Sequence, residues 1–264
     1  MFSLCPEFTA ALDAETPLED TVCFQGACPS RGNLQVICPS GFWGYRHVLG
    51  LPVSIGADVG NLVVKITYKE SPTLTAAFST DFTLRANHFQ KLHQLRTPLS
   101  WLEADTGQQT LEYLRTANPH LVYFYCHGGL TEEKVPYLQV GSKNDAWGLI
   151  TPSVLPAMRI RWSQPRPLVY INGCHTTALE PEAALDMVSG FVRDAGAAGV
   201  VGTEITIFEP LATAFAEECL RQFLNGTPIG QAVRKARLKL LQEGNPLGLV
   251  YIPFAVASLA MMPE

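Results

Sequence analysis

No run in this 264-residue chain is both long and apolar enough to suggest a membrane-spanning helix. The longest apolar stretch, Leu247 to Met262, is broken by Pro253 and falls short of the roughly 20 residues a span requires. Basic tracts are missing as well. Lys and Arg number 19 against 24 Asp and Glu, a net charge of −5, so no electrostatic footprint for nucleic acid is expected. Residues Met1 to Glu7 lack the basic start and long apolar centre of a secretory signal. With seven cysteines, an odd number, free thiols, catalysis or metal binding are expected rather than a disulfide framework, in a reducing cytoplasm. Internal repeats and low-complexity segments are also absent. What remains is 47% hydrophobic, enough for one large α/β domain, alone or with a small appendage.

Two apolar runs dominate the middle of the chain. Leu121-Val122-Tyr123-Phe124-Tyr125-Cys126 stops at His127-Gly128-Gly129, and Leu168-Val169-Tyr170-Ile171 stops at Asn172-Gly173-Cys174-His175. Short β-branched and aromatic runs bounded by Gly or Pro read as strands buried on both faces, the pattern of parallel sheets. Ligands of open α/β sheets bind beyond the carboxyl ends of the strands, which is where His127 and Cys174 are delivered.

Residues 1–60 differ from the rest. They hold Cys5, Cys23, Cys28 and Cys38, many Gly and Pro, and the aromatic patch Phe42-Trp43-Gly44-Tyr45. Two readings of the four cysteines stand: a structural zinc ion in a tetrahedron of thiolates, or buried inert thiols. No Cys-x-x-Cys knuckle decides between them. From residue 61 onward strands and helices alternate. Strands are expected over 62–68 and 74–78, with Ser71-Pro72 as a turn signal between them. A helix is expected from Phe82 to Leu95, starting after Asp81, and another from Thr110 to Ala117. A hairpin arm follows at 135–140, then a short helix with Thr151 as N-cap and Pro152 at its first position. A helix over 181–194, a strand over 197–203, helices over 210–224 and 229–242 and a closing strand over 249–257 complete the pattern. The alternation predicts a three-layer α-β-α sandwich with a mostly parallel central sheet, spanning residues 61–264. The last strand, if left exposed, would be an edge open to pairing with another chain.

The chemistry at the two strand ends is specific. A thiol near its free pKa is only slightly ionised at neutral pH, although the thiolate is the attacking species. An imidazole within hydrogen-bond reach can take the proton and later return it to a leaving amine. Gly128 leaves room for a substrate, and the N–H groups of Gly128 and Cys174 are candidate donors to an oxyanion. Taken singly, a strand-end Cys or His is more often a packed residue than a catalyst. The matched placement of the two beside glycine is what favours chemistry.

Tyr125-Cys126-His127-Gly128-Gly129 and Asn172-Gly173-Cys174-His175-Thr176 resemble the two catalytic motifs of CHAT-domain proteins. These are caspase-like peptidases related to separase and, more distantly, to caspases and metacaspases. The resemblance continues through Phe191 to Thr203, Ala232 to Arg237 and Pro246 to Phe254, and covers roughly residues 61–260. It implies a caspase-like fold and a cysteine endopeptidase acting on protein or peptide substrates, with His127 as general base and Cys174 as nucleophile. Gly128 and Cys174 would supply the oxyanion N–H groups, and catalysis would require no cofactor. It also implies a regulated effector of bacterial defence or stress signalling, switched on by a sensor or partner protein. Residues 1–60 are then a docking, regulatory or zinc-binding segment.

Two departures matter. Asn-Gly precedes Cys174 where caspases carry Gln-Ala, so the caspase preference for aspartate is not carried over. His175 stands beside the nucleophile where a small residue is expected. The loop after strand 197–203, Thr203-Glu204-Ile205-Thr206-Ile207-Phe208-Glu209, corresponds to one that lines the specificity pocket in caspase-like folds. A carboxylate from Glu204 or Glu209 there would favour Arg or Lys before the cut. The bland alternative is a solvated loop residue at Glu204 and a helix-start charge at Glu209. Three rival functions remain from sequence: a catalytically silent module on the same fold, a Cys-His acyltransferase or amidohydrolase acting on a small molecule, and a zinc-dependent binding protein.

Overall fold

The computed structural model of the chain describes residues 2–53, 62–95, 98–173, 186–203, 205 and 207–264; Cys174, His175 and Glu204 lie outside these. Residues 2–53 contribute β1 (Ser3–Leu4), α1 (Pro6–Asp13), β2 (Val36–Ile37) and α2 (Trp43–Arg46). The body continues with β3 (Lys65–Tyr68), β4 (Thr73–Phe78), α3 (Arg85–His93), β5 (Ser100–Ala104), α4 (Gly107–Thr116) and β6 (Leu121–Tyr125). Next come β7 (His127–Leu130), β8 (Pro136–Gln139), β9 (Leu149–Ile150), α5 (Val154–Ala157) and β10 (Leu168–Asn172). After a π-helical turn at Gly190–Asp194 come β11 (Gly199–Thr203), α6 (Glu209–Leu224), α7 (Ile229–Gln242), β12 (Tyr251–Phe254) and β13 (Ala260–Pro263).

Six strands form the central sheet in the order β12-β11-β10-β6-β4-β5. Every neighbouring pair is parallel except β11 with β12. All five residues of β6 and all five of β10 are buried, because both faces of the sheet are covered. Alternate side chains serve opposite layers. Leu121, Tyr123, Tyr125, Leu168 and Tyr170 pack with Phe89 and Leu92 of α3, Phe215 and Phe223 of α6 and Val233 of α7. Val122, Phe124, Val169 and Ile171 pack with Leu111 and Leu114 of α4, Leu155 of α5 and Phe191. The expected three-layer α-β-α sandwich with a mostly parallel sheet is therefore present.

Several boundaries differ from the sequence reading for local reasons. Helix α4 begins at Gly107 rather than Thr110, because Thr106 Oγ1 accepts from Gln109 N at 3.2 Å and caps it. Helix α3 begins at Arg85 rather than just after Asp81. The N–H groups of Thr83 and Leu84 at its entry are met by a carboxylate from elsewhere in the chain, that of Glu209. Thr151 does not cap α5, which starts at Val154 with Ser153 in the cap position and no side-chain cap bond. The closing strand is shorter than 249–257, because Pro246–Val250 winds as a 3-10 turn before β12. The hairpin arm forms as β7 against β8, with His127 opposite Gln139, and β9 extends it to three strands.

Edge strand β12 is partly closed on its outer side. Pro253 has no N–H to offer, and its carbonyl accepts from Leu51 N at 2.9 Å. Residues 2–53 are less irregular than their composition suggests. Cys5, Phe8, Ala11, Leu18, Cys23, Phe24 and Tyr45 form a small separate core closed by Leu238 and Leu241 of α7. Among the described residues no helix is long and apolar enough to cross a membrane.

Candidate active site

Strands β6 and β10 are parallel neighbours in direct register, with Tyr123 opposite Tyr170 and Tyr125 opposite Asn172. His127 follows Tyr125 by two positions, and Cys174 follows Asn172 by two. Neighbouring strands lie about 4.8 Å apart, so the two chain segments leave the carboxyl edge of the sheet side by side. A base on one strand end can reach a nucleophile on another only where the two strands are neighbours, as β6 and β10 are. The thiol of Cys174 is itself outside the described residues.

Strand β10, which precedes Cys174 in sequence, is anchored at its end and at Gly173 just beyond it. Thr203 Oγ1, at the end of β11, donates to the Gly173 carbonyl at 2.6 Å. The fully buried Asn172 side chain makes three hydrogen bonds. Its Nδ2 donates to Tyr123 Oη at 2.8 Å and to the Ala212 carbonyl at 3.1 Å, and Tyr251 Oη donates to its Oδ1 at 2.6 Å. Buried polar groups persist only when satisfied, and Asn172 spends that requirement on fixing a strand end.

His127 is half-buried at the start of β7, and the Phe82 ring lies against it at a centroid distance of 4.4 Å. Burial pushes the imidazole below its ordinary pKa of 6.5, and the Lys143 charge adds to the effect. Asp81 and Glu209 oppose the shift without cancelling it. Gly128 stands opposite Leu138 in the same hairpin. A Cβ at Gly129 would meet Tyr137 Oη at 2.8 Å, so a side chain there requires the Tyr137 ring to move.

Glu209 begins α6 and is already engaged. Its carboxylate accepts from Thr83 N at 3.1 Å, Thr83 Oγ1 at 2.8 Å, Leu84 N at 3.1 Å and Tyr125 Oη at 2.8 Å. Burial pushes this carboxyl up, but the bonds from Thr83, Tyr125 and Leu84 outweigh it and hold the group below the usual carboxylate range. Glu209 thus ties the loop before α3 to the end of β6 and keeps a negative charge near His127. Glu204, the other acidic candidate, lies outside the described residues.

Sequence reasoning singled out none of Phe82, Lys143 and Asn172 as site residues. Asn172 carried a usable signal, an amide closing an otherwise apolar run. Phe82 and Lys143 reach the site from other loops and carried none. The other cofactor candidates converge outside this edge: the sulfurs of Cys5, Cys23, Cys28 and Cys38 all lie within 4.8 Å of one another.

The family model described as the CHAT domain matches residues 71–254. A probable protease of Vitiosangium sp. (strain GDMCC 1.1324) is 48% identical over 274 residues, an alignment that takes in 100% of this chain and 35% of the relative. The chain thus spans about a third of that relative's length. Separase in the Saccharomyces cerevisiae separase–securin complex aligns over 91% of this chain and 15% of its own, at 13% identity and a TM-score of 0.48. A second structure of that complex aligns over 73% of this chain and 12% of its own, at 17% identity and a TM-score of 0.46.

Proposed function

This chain belongs to the CHAT-domain family, and from that premise we propose that it is a caspase-like cysteine endopeptidase working through His127 and Cys174. The observation that carries the proposal is the direct parallel pairing of β6 with β10, whose last paired residues, Tyr125 and Asn172, each stand two positions before a reactive residue in the sequence.

In this reading His127 takes the Cys174 proton and Sγ attacks the scissile carbonyl carbon. The carbonyl electron pair moves onto oxygen, where the N–H groups of Gly128 and Cys174 hold it. Collapse of that intermediate expels the amine, which leaves with the proton from His127. Water, deprotonated by the same imidazole, then hydrolyses the thioester and restores the thiol. Depression of the His127 pKa keeps the imidazole neutral, and so competent as a base, below pH 6.5. The acid limb of kcat/KM is therefore expected below that value. Replacing Lys143 by Ala removes one of the two causes and should move the limb upward, which a pH–rate profile of the two proteins would read. A limb that moved downward would contradict the assignment.

Acidic groups beside the site favour cleavage after Arg or Lys. Glu204 is the proposed direct contact, and Glu209, its oxygens committed to Thr83, Leu84 and Tyr125, contributes negative potential. A fluorogenic peptide library is expected to show preference for Arg or Lys, and Glu204→Gln should lower kcat/KM for those peptides by roughly 10- to 100-fold. Cleavage mainly after apolar or acidic residues would defeat the basic preference while leaving the dyad intact. The proposal extends, on family resemblance alone, to a regulated cytoplasmic effector of bacterial defence or stress signalling that a partner protein switches on.

A further inference from the structure

We propose that Cys5, Cys23, Cys28 and Cys38 form a closed four-thiolate zinc site that clamps residues 2–53 onto α7. The first support is geometric. A tetrahedron with metal–sulfur bonds of about 2.3 Å has sulfur–sulfur edges of about 3.8 Å. Here Cys5 Sγ lies 3.6 Å from Cys23 Sγ and 3.7 Å from Cys28 Sγ, and no pair among the four exceeds 4.8 Å. Two disulfides would instead draw the sulfurs into two bonded pairs near 2.05 Å. Cys5 stands equally close to two partners and favours neither. So tight a group has room for one ion and not for a multi-iron cluster.

The second support is chemical. Four thiolates around Zn²⁺ carry a net charge of −2, which needs nearby donors or cations. Ser30 Oγ lies 3.6 Å from Cys5 Sγ and Ser40 Oγ lies 3.1 Å from Cys38 Sγ. Arg31 and Arg46 line the cleft into which Cys23, Cys28 and Cys38 open. Glu7 Oε2, at a half-buried position, accepts from the Cys5 thiol at 3.0 Å, a bond that ends once that thiol becomes a thiolate.

The third support is the poverty of the segment's own core. Apart from Cys5 and Cys23, residues 2–53 bury five apolar side chains in their cluster, Phe8, Ala11, Leu18, Phe24 and Tyr45. A unit of that size with so little burial usually needs a staple. A metal here would fix the loop from Cys38 to Arg46, which meets α7 through Arg234 Nε donating to the Tyr45 carbonyl at 2.8 Å and Arg237 Nη1 donating to the Gly44 carbonyl at 3.1 Å. The site has no open coordination position and lies apart from His127, so its role is structural.

The test is elemental analysis of the full chain purified without chelator after growth with added zinc. About one zinc per chain is expected, and Co²⁺ exchanged into the protein should give the absorption of a tetrahedral tetrathiolate. Cys28→Ser and Cys38→Ser, both at half-buried positions, should each lower zinc retention at least about tenfold in dialysis against a chelator. Cys219→Ala, which removes a buried thiol elsewhere, should retain it. Stripping the metal should expose residues 2–53 to protease before the body is cut. A folded wild-type chain without zinc, iron in its place, or two disulfides in the unreduced protein would each overturn the proposal.

Discussion

Replacing Cys174 with Ala is expected to abolish peptide cleavage, lowering kcat/KM by about 10⁴-fold or more, and His127→Ala should come within about tenfold of that loss. The size follows from the chemistry. Without the sulfur no thioester forms, and a bound water has no general base aligned for it. Without the imidazole the thiol keeps its proton, and the leaving amine has no acid to protonate it. The two losses should not add, because each removes the same step. The double variant should therefore be no more than about tenfold worse than Cys174→Ala. Matched denaturation midpoints would show that both proteins are folded. Cleavage that survived in Cys174→Ala would end the cysteine-peptidase reading, whereas a wild type silent alone but active once its activator is added would leave it standing.

The parts of the fold that sequence reveals are those whose cause is local. β6 and β10 were legible because strands covered on both faces must be apolar at consecutive positions, and Gly128 and Gly173 punctuate their ends. Ile229–Gln242 was placed at its true bounds because its apolar stripe and the preceding Pro228 agree. β5 was missed. Ser100-Trp101-Leu102-Glu103-Ala104 mixes exposed and buried positions because it is the outer strand beside β4, and edge strands tolerate polar residues. β13 was absorbed into the apolar tail, since its pairing partner β3 lies almost 200 residues away in sequence. The start of α3 was misplaced for a similar reason. Its entry is satisfied by Glu209, more than 120 residues on, and no local pattern announces such a bond.

The candidate site divides the same way. His127, Gly128 and Cys174 could be nominated because each stands beside a strand end. The surroundings that tune and hold them are non-local. Lys143 shifts His127 from a separate loop, and Asn172 is meaningful only once Tyr123, Ala212 and Tyr251 converge on it. Glu209 shows how far a residue type alone can be read. Its carboxylate was nominated for substrate, and the structure shows it first tying the loop before α3 to the end of β6 while still contributing charge to the site.

Asn172→Leu should cost about 3 kcal/mol of stability, read as a lowered denaturation midpoint at unchanged slope. Leu keeps the branched skeleton of Asn with bulkier ends, so the loss comes from polar groups left behind and from tighter packing rather than from a cavity. Tyr251 Oη loses its bond to the amide oxygen at 2.6 Å and the Ala212 carbonyl loses the amide donor at 3.1 Å, both inside the core. Losing hydrogen bonds inside the core in this way costs roughly 1–3 kcal/mol each. Tyr123 Oη suffers less, because His88 still meets it at 2.7 Å, with Glu217 behind His88 at 3.0 Å. The same substitution frees the strand end two residues before Cys174, leaving the Thr203 bond to the Gly173 carbonyl as the anchor that remains there. A misplacement of the nucleophile by about 1 Å can cost on the order of 100-fold in rate. At temperatures where the variant is fully folded, kcat should therefore fall with KM little changed. Asn172→Asp separates the two effects. One oxygen still accepts from Tyr251, but Asp has no donor for Tyr123 Oη or for the Ala212 carbonyl and places a charge in a fully buried site, so its stability should fall as pH rises through the pKa of the buried acid. A stability of Asn172→Leu equal to wild type would show that the three bonds around this amide hold nothing in place.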